Sequence, residues 1–396
     1  MSASERPHEV VLFGATGFTG GLTAEYLAEH ARPGTEWALA GRSRGKLEAL
    51  RERLAGINDA CSDLALLHAD VGEPDSLREV AESARVVITT VGPYVHYGEP
   101  LVAACAAAGT DYVDLTGEPE FVDSMWLRHH ERAESSGSRI VHCCGFDSIP
   151  HDLGAYFTVQ QLPEGVPMDL QGVVGAGGTF SGGTYHSAVN AFARVRQTAA
   201  AAKQRREREP RPEGRKVKNV RGGVHRDPAG GGWIVPLPTI DPQVVARSAR
   251  ALERYGPDFS YSHSLRLKHL PMVAGLAGGA GAMFALAQLP PTRRLLLKLR
   301  SPGEGPTPEQ RAKGWFRVRF TGEAGGERVI TEVSGGDPGY GETAKMLAES
   351  ALCLAHDDLP RTAGQLTTAV AMGNPLIDRL QRAGIEFRVI EAAGGR

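Results

Sequence analysis

The sequence predicts an α/β protein with a doubly wound parallel sheet, followed by a second, α+β domain that contains an antiparallel sheet. Three observations predict it: short strands that are apolar throughout, amphipathic stretches between them, and the loss of this alternation after Pro150. Strands that are apolar on both faces are typical of parallel sheets that helices cover on both sides. A chain of 396 residues is also long enough for two domains.

The first part of the chain alternates strands with helices. The predicted strands are Val10–Phe13, Trp37–Ala40, Leu64–His68, Val86–Thr90, Tyr112–Leu115 and Ile140–Cys143. The predicted helices between them are Gly20–His30, Lys46–Leu54, Ser76–Glu82, Pro100–Ala108 and Phe121–Ser135. Such alternation predicts successive βαβ units, and we place this first domain at residues 1–150.

The second part carries more glycine, proline and charge. We predict strands at Asp169–Ala176, Trp315–Thr321 and Arg328–Gly335, and a helix over Ala188–Arg208. The last two strands are joined by Gly-Glu-Ala-Gly-Gly-Glu, which indicates an antiparallel hairpin. This domain is expected at residues 151–335. Residues 336–396 are expected to form a helical segment, because the apolar spacing predicts a helix over Tyr340–Ala355.

Composition narrows the possible partners and compartment. The formal net charge of −2 provides no field that would favour nucleic acid, so no nucleic-acid partner is predicted. The five cysteines show no metal-binding spacing, so no metal site is predicted, and they suit a reducing compartment. The polar N-terminus has no signal-peptide pattern, and we expect a cytoplasmic protein.

A glycine-rich turn follows the first strand. Gly14, Gly17 and Gly20 are spaced three residues apart between a strand and a helix. Glycine allows the backbone to turn tightly and to approach a pyrophosphate, and the helix N-terminus attracts that anion. The position of the turn in the alternating series predicts a Rossmann-type dinucleotide site. We expect the whole turn to contact the cofactor: Gly14, Ala15, Thr16, Gly17, Phe18, Thr19 and Gly20.

The end of the second strand predicts which dinucleotide binds. An NAD site places a carboxylate there, whereas this chain has Ala40-Gly41-Arg42. Because an arginine can bind a 2′-phosphate in a charge-assisted fork, Arg42 predicts NADP(H) as the cofactor. Asp70, which ends the third strand, is expected to contact the adenine, although a helix-capping role fits equally well.

Two later turns are expected at the same edge of the sheet. Val91, Gly92 and Pro93 follow the fourth strand and are predicted to contact the nicotinamide ribose. Reduction also needs a proton donor, and the polar candidates near this edge are Tyr94, Tyr97, Asp147 and His151. We select Tyr94 and Asp147 as the catalytic candidates, while a structural role in packing or capping stays open for each.

These motifs together resemble the saccharopine dehydrogenase-like oxidoreductase family. The resemblance rests on Gly14–Gly20, Val91–Tyr94, Tyr97–Pro100, Gly109–Glu118, Cys144–Gly154 and Gly336–Met346. Within the family, the chain is most similar to the actinobacterial trans-acting enoyl reductases. The resemblance implies NADPH-dependent reduction of a C=C bond in a polyketide or lipid acyl intermediate held by a partner synthase. It also implies that the helical segment 336–396 packs back on the first domain.

Two other functions remain open at this point. The first is an amino-acid dehydrogenase of the saccharopine dehydrogenase type, which acts on a secondary amine. The second is a non-catalytic NADP-binding protein that works at a membrane or on a synthase.

Two segments carry signals that the cofactor site does not explain. The stretch 270–292 has no charged residue but includes four glycines. It is interpreted as a buried or subunit-interface helix, as a peripheral contact with membrane or acyl chain, or as a spanning helix. The basic stretch 203–221 is interpreted as a solvated helix end and loop, or as a contact for a phosphate-rich or acyl-carrier partner. A homodimer is a further expectation.

Overall fold

The computed structural model describes residues 6–177, 182–227, 231–299 and 305–392. The strands of its first sheet, numbered in chain order, are β1 (His8–Phe13), β2 (Trp37–Gly41), β3 (Ala65–His68), β4 (Ala84–Thr89), β5 (Asp111–Asp114), β6 (Arg139–Val141) and β14 (Gly364–Leu366). Their spatial order is β14-β6-β5-β4-β1-β2-β3, and every neighbouring pair is parallel. This sheet confirms the predicted doubly wound fold.

Helices cover both faces of the parallel sheet. They are α1 (Phe18–His30), α2 (Arg44–Ala55), α3 (Pro74–Ser83), α4 (Tyr94–Tyr97), α5 (Glu99–Ala108), α6 (Pro119–Ser136) and α14 (Gly341–His356). Helix α14 packs against α1, β4 and β5, whereas α5 packs against both α3 and α6. All five residues of β2 are buried, as expected for a strand that is covered on both sides.

The second sheet contains eight strands. They are β7 (Met168–Gly177), β8 (Lys216–Asn219), β9 (His225–Arg226), β10 (Trp233–Pro236), β11 (Asp258–Leu267), β12 (Trp315–Ala324), β13 (Glu327–Gly335) and β15 (Glu386–Glu391). Strands β12 and β13 form the predicted antiparallel hairpin around Gly325 and Gly326, which both have positive φ. The sheet is nevertheless mixed, because β11 pairs in parallel with β7 and β8. A long helical crossover between β7 and β11 permits this arrangement.

The remaining helices of the described residues are α7 (Ile149–Val159), α8 (Gly182–Ala193), α9 (Val195–Arg208), α10 (Asp241–Ala251), α11 (Leu270–Ala287), α12 (Pro290–Lys298), α13 (Pro308–Arg311), α15 (Thr368–Ala371) and α16 (Gly373–Arg382). Short 3-10 turns lie at Asp59–Asp63 and Glu253–Tyr255. The single helix predicted over Ala188–Arg208 is two helices, because Arg194 leaves helical geometry and its guanidinium binds Glu120.

The C-terminal region of the chain contributes a strand to each of the two sheets. The region after residue 336 supplies β14 to the parallel sheet and β15 to the mixed sheet, and the domain boundaries stay a prediction. Helix α7 follows β6 and packs against β12, β13 and α10. The carboxyl edge of the parallel sheet therefore meets residues from the second sheet, and this junction holds the candidate site.

Candidate functional site

The glycine turn between β1 and α1 has a backbone that only glycine fits. Gly14 has a φ of +86°, in the left-handed region that other residues rarely adopt. A Cβ on Gly20 would lie 2.1 Å from the Gly14 carbonyl oxygen, so the turn and the helix are in direct backbone contact. The Thr90 hydroxyl donates to the Gly14 carbonyl at 3.1 Å, which joins the turn to the end of β4.

The start of α1 is suited to an anion. Gly17 precedes the helix, and its first turn contains no acidic side chain. The first backbone N–H groups of a helix have no partner within it, and they attract phosphate together with the helix dipole. A cavity of about 640 Å³ lies beside this helix start, lined among others by Ala15, Thr16, Gly17 and Lys46. The turn, the helix start and the cavity fit a dinucleotide pyrophosphate.

Arg42 lies at the carboxyl end of β2, as predicted. Its side chain is exposed and forms no hydrogen bond or ion pair with another described residue. Arg44, two residues later, is by contrast held by Glu48 at 2.9 Å and by the Leu66 carbonyl. Arg42 is thus the arginine of this loop that is available for a 2′-phosphate.

The other predicted cofactor contacts lie on loops at the same edge. A Cβ on Gly14 would lie 2.7 Å from the Val91 side chain, so the Val91–Pro93 turn is adjacent to the glycine turn. Asp70 accepts a hydrogen bond from the Gly72 amide at 2.8 Å, and Glu73 rather than Asp70 precedes α3. Asp70 therefore shapes the turn after β3, and its contact with adenine stays a prediction.

A segment from the second domain covers the glycine turn, which sequence reasoning missed. Pro308 and Arg311 line the cavity beside α1, and the Arg311 guanidinium lies 5.8 Å from the centre of the Phe18 ring. Tyr340 packs edge-on against the same ring at 4.7 Å. Phe18 therefore joins the cofactor turn to two segments near the C-terminal third of the chain. Only the Thr-x-x-Gln capping box that begins α13 at Thr307 was visible in the sequence.

Asp147 lies on the loop that leaves β6. Cys143 starts this loop in the left-handed region, with a φ of +64°, and its amide donates to the buried carboxylate of Asp114 at 3.1 Å. The Ser148 amide donates to the Cys143 carbonyl at 2.8 Å and closes the loop. A Cβ on Gly117 would lie 3.2 Å from the Asp147 carboxylate. Asp147 therefore sits at the carboxyl edge of the sheet, beside the loop that follows β5.

A buried charge cluster lies behind Asp147. Nδ1 of His151 is 3.3 Å from one oxygen of Asp241, and Nε2 of His263 is 3.4 Å from the other. The three residues come from α7, α10 and β11, and each is at least 95% buried. A hydrogen bond between the Tyr261 hydroxyl and Nδ1 of His263 orients that ring so that Nε2 faces Asp241.

The same three side chains have the composition of a divalent-metal site. Their ligand atoms lie within 4.8 Å of one another, which no other group of described histidine, cysteine and acidic residues achieves. Each imidazole faces a separate oxygen of one carboxylate, so we interpret the cluster as a buried carboxylate held between two imidazoles. Because its members come from three distant elements, no spacing in the sequence could have predicted it.

The cluster shifts the pKa of its neighbours. Burial, followed by the negative charge of Asp241, raises the pKa of Asp147 to about 7. Burial lowers the pKa of His151 to about 4, although Asp241 opposes this shift. Burial alone would raise the pKa of Asp241, but His151 and His263 more than offset it and lower that pKa. At neutral pH, Asp241 is therefore charged and Asp147 lies close to its midpoint.

The remaining candidates from the sequence have other surroundings. The Tyr94 hydroxyl is buried and donates to the Thr89 carbonyl at 3.1 Å, and burial raises its pKa well above the usual value. Tyr97 is 45% exposed on α4. Burial raises the pKa of the Cys143 and Cys144 thiols well above 9, so neither is an activated nucleophile. Asp147 is the candidate whose surroundings suit proton transfer.

A second cavity, of about 370 Å³, lies between the two domains next to β6. His142 and Cys143, which follow β6, line it on one side, and four arginines line it from the second domain: Arg205, Arg211, Arg247 and Arg250. Asp123 binds Arg205 and Arg247, while Glu209 binds Arg205 and Arg250. Most of this positive charge is therefore already paired within the protein.

Comparison with known proteins bears on the whole chain. Residues 10–141 match the family described as the saccharopine dehydrogenase NADP binding domain. A Mycobacterium tuberculosis protein named as a putative trans-acting enoyl reductase is 38% identical to this chain, over 99% of this chain and 100% of its own length. A Mycobacterium ulcerans trans-acting enoyl reductase is 35% identical, over 97% of this chain and 98% of its own length.

A solved structure supports the fold alone. The structure of saccharopine dehydrogenase (L-Glu forming) from Saccharomyces cerevisiae aligns with 97% of this chain and with 100% of its own length. The TM-score is 0.58 and the sequence identity is 12%. The matched domain confirms NADP(H) as the predicted cofactor, and the full-length relatives confirm the predicted resemblance. The chain therefore carries a saccharopine dehydrogenase NADP-binding domain and belongs to the family of the mycobacterial trans-acting enoyl reductases.

Proposed function

We propose that this protein is an NADPH-dependent enoyl reductase, which reduces a C=C bond of a polyketide or lipid acyl intermediate carried by a partner synthase. The observation that carries the proposal is the similarity, over nearly the full length, to relatives named as trans-acting enoyl reductases. The site adds independent support, because a cofactor turn and a carboxyl group with a pKa of about 7 lie at one edge of the sheet.

The residues of the glycine turn have a binding role in this proposal. Gly14–Gly20 hold the pyrophosphate at the start of α1, and Arg42 binds the 2′-phosphate. Val91–Pro93 line the ribose next to the nicotinamide, and Arg311 closes the cavity from the second domain. NADPH supplies the hydride when it is bound.

Asp147 is the proposed proton donor. In the reduction, a hydride forms a C–H bond at the β-carbon, the C=C bond becomes single, and a proton from Asp147 forms a C–H bond at the α-carbon. The Asp147 carboxylate then regains a proton from water. A general acid works best when its pKa lies near the working pH, and burial together with Asp241 places the pKa of Asp147 there.

An amino-acid dehydrogenase has less support. Its amino-dicarboxylate substrate would need free cationic side chains, and the arginines of the second cavity are the nearest set at the junction of the domains. Asp123 and Glu209 already bind Arg205, Arg247 and Arg250. The cavity is thus largely neutralised before any substrate arrives.

The test is a substrate panel with the purified full chain and NADPH. We expect loss of NADPH absorbance with enoyl thioesters, more rapidly for those on an acyl carrier. NADPH deuterated on the nicotinamide ring should place deuterium at the β-carbon, and deuterated water should place it at the α-carbon. Turnover only with an imine or a keto acid plus an amino acid would refute the proposal. Tight NADPH binding without turnover on any substrate would favour the non-catalytic alternative.

Partner and location follow as part of the proposal. The trans-acting relatives support a substrate delivered by a separate synthase. The basic stretch 203–221, which is mostly exposed apart from the buried Arg205, is the proposed contact for an acyl carrier. A cytoplasmic location and a homodimer stay predictions. Sedimentation of the purified chain measures the second.

A further inference from the structure

Helices α11 and α12 form an apolar surface that the protein does not cover. We call residues Leu270–Lys298 the apolar platform. In α11 only Ala287 is buried, and α12 has no buried residue. Seven large apolar side chains of the platform are more than 40% exposed, and so is Leu299 just past its end; the seven are Leu270, Met272, Leu276, Phe284, Leu286, Leu289 and Leu295. The buried core helix that the sequence left open is therefore excluded.

The charged residues within and next to the platform in the sequence are all positively charged. Lys268 precedes it, and Arg293, Arg294 and Lys298 lie in α12. No aspartate or glutamate occurs between Asp258 and Glu304. An apolar face bordered by cations is the pattern that binds the surface of an anionic bilayer.

The platform is fixed along the body of the protein. Phe284 packs edge-on against Phe192 of α8 at 6.0 Å, and the Gln288 amide donates to the Phe192 carbonyl at 2.7 Å. The Tyr185 hydroxyl of α8 donates to the Leu296 carbonyl of α12 at 3.1 Å. The platform also lies between β11 and β12, which both belong to the mixed sheet.

These contacts indicate whether α11 crosses a membrane or lies along its surface. Among the described residues, α11 is the one helix long and apolar enough to cross a membrane, and its 18 residues extend about 27 Å. The nearest strands before and after it in the chain, β11 and β12, belong to one sheet, and its contacts with α8 run along its side. A helix held in this way lies in the plane of a membrane surface rather than across it.

We propose that the apolar platform docks this protein on the surface of an anionic lipid bilayer. Apolar side chains of α11 and α12 enter the boundary of the acyl chains, while Lys268, Arg294 and Lys298 bind lipid phosphates. A second copy of the chain is a poorer occupant, because a twofold contact would bring two cation-bordered faces together, and residues 259–303 of neither copy supply an acidic partner. The proposal does not depend on the enzymatic activity.

The docking also bears on the candidate site. Helix α8, which carries the platform, binds the site through Ser187, whose hydroxyl donates to Glu118 at 3.0 Å. Glu118 in turn accepts the backbone amides of Tyr94 and Val95. Docking would therefore hold the cofactor edge close to the bilayer, where long acyl chains are found.

The test is co-sedimentation of the full chain with vesicles. We expect binding to equimolar phosphatidylcholine and phosphatidylglycerol, and little binding to phosphatidylcholine alone. The variant Met272→Gln/Leu276→Gln/Phe284→Gln should bind anionic vesicles at least about tenfold more weakly. The matched control Val389→Gln/Ile390→Gln removes comparably exposed apolar side chains elsewhere and should bind like the parent.

Charge is tested separately. Arg294→Glu/Lys298→Glu should weaken binding at least about tenfold, whereas Lys203→Glu/Arg206→Glu on α9 should not. Each variant should retain NADPH binding, which shows that it folds. Absence of binding to anionic vesicles, or equal binding by the platform variants and the controls, would overturn the proposal. A dimer in light scattering that only the platform variants lose, without vesicle binding, would identify a second copy as the occupant.

Discussion

The two ends of the candidate site are built in different ways. The cofactor end is one continuous turn, Gly14–Gly20, and its function depends on backbone geometry and on the absence of side chains. The proton end is a convergence of side chains from distant elements: Asp147 after β6, His151 on α7, Asp241 on α10 and His263 on β11.

This difference separates two kinds of information in a sequence. A backbone turn is specified by adjacent residues, so the chain displays it as a motif. A side-chain cluster is specified by how domains pack, so its members have no fixed spacing. Substitutions at the cofactor end should therefore affect binding of NADPH, and those at the proton end should affect turnover and its pH dependence.

The largest expected effect is at the proton end. Asp147→Asn keeps the size of the side chain but removes its acidic proton, so kcat should fall by about 10²- to 10⁴-fold. The Kd for NADPH should change little, because Asp147 is not part of the glycine turn. Steady-state rates with an enoyl thioester and fluorescence titration with NADPH measure the two quantities. Asp147→Glu, which restores an acid, should recover part of kcat. If Asp147→Asn weakened NADPH binding as much as it lowered kcat, the two ends of the site would not have separate functions.

At the cofactor end, Gly20→Ala is the corresponding substitution. Its Cβ would lie 2.1 Å from the Gly14 carbonyl oxygen, so backbone must move. We expect NADPH affinity to fall about 100-fold, which corresponds to about 2.8 kcal/mol. Gly21→Ala is the matched control, because its Cβ would meet the flexible end of Arg53 at 3.2 Å and would lie at an ordinary contact distance of 3.9 Å from the Ala15 carbonyl oxygen. Similar affinities for the two variants would contradict the role of the turn.

Arg42 sharpens the cofactor end further. Arg42→Ala removes a charge-assisted contact with the 2′-phosphate, and NADPH affinity should fall about 10- to 100-fold. The affinity for NADH, which lacks that phosphate, should stay the same. Arg44→Ala serves as the control, since Glu48 already holds that guanidinium. An equal loss for NADPH and NADH would show that Arg42 acts on the fold instead.

A smaller effect tests the coupling within the proton end. If Asp147 is the acid, kcat declines as pH rises above about 7, because the protonated form is lost. Asp241 raises the pKa of Asp147, so Asp241→Asn should move this decline to lower pH, by on the order of one pH unit. The pH profile of kcat measures this shift, and Asp75→Asn, which changes an exposed carboxylate on α3, is the control. A pH profile that stays in place, or moves to higher pH, would show that Asp241 does not raise the pKa of Asp147.

The sequence predicted the first sheet well, because each of its strands is a local apolar run. The predicted strand Trp37–Ala40 differs by one residue from β2. It did not predict β11, whose buried Phe259, Tyr261 and His263 alternate with polar residues. It did not predict β14 either. Three residues carry too little pattern to indicate a strand, and the residues of β14 pair with β6 residues that lie 225 positions earlier in the chain.

The candidate site divides along the same line. The glycine turn and Arg42 were predicted because their neighbours in sequence are their neighbours in space. Asp147 was predicted from its motif, but the cause of its raised pKa was not, because Asp241 lies 94 residues later. Arg311 over Phe18 was missed for the same physical reason, since only the packing of the second domain brings it to the turn.

The smallest expected effect concerns the candidate that the structure does not favour. The Tyr94 hydroxyl is bound to the Thr89 carbonyl, so Tyr94→Phe should cost about 1 kcal/mol of stability and change kcat by less than about threefold. Thermal unfolding and kcat with an enoyl thioester measure both. A fall in kcat as large as that of Asp147→Asn would make Tyr94 the proton donor, and the proton end would then begin on α4 beside the Val91–Pro93 turn. In that case both ends of the site would be local in sequence, and the distinction between a backbone end and a convergent end would no longer hold.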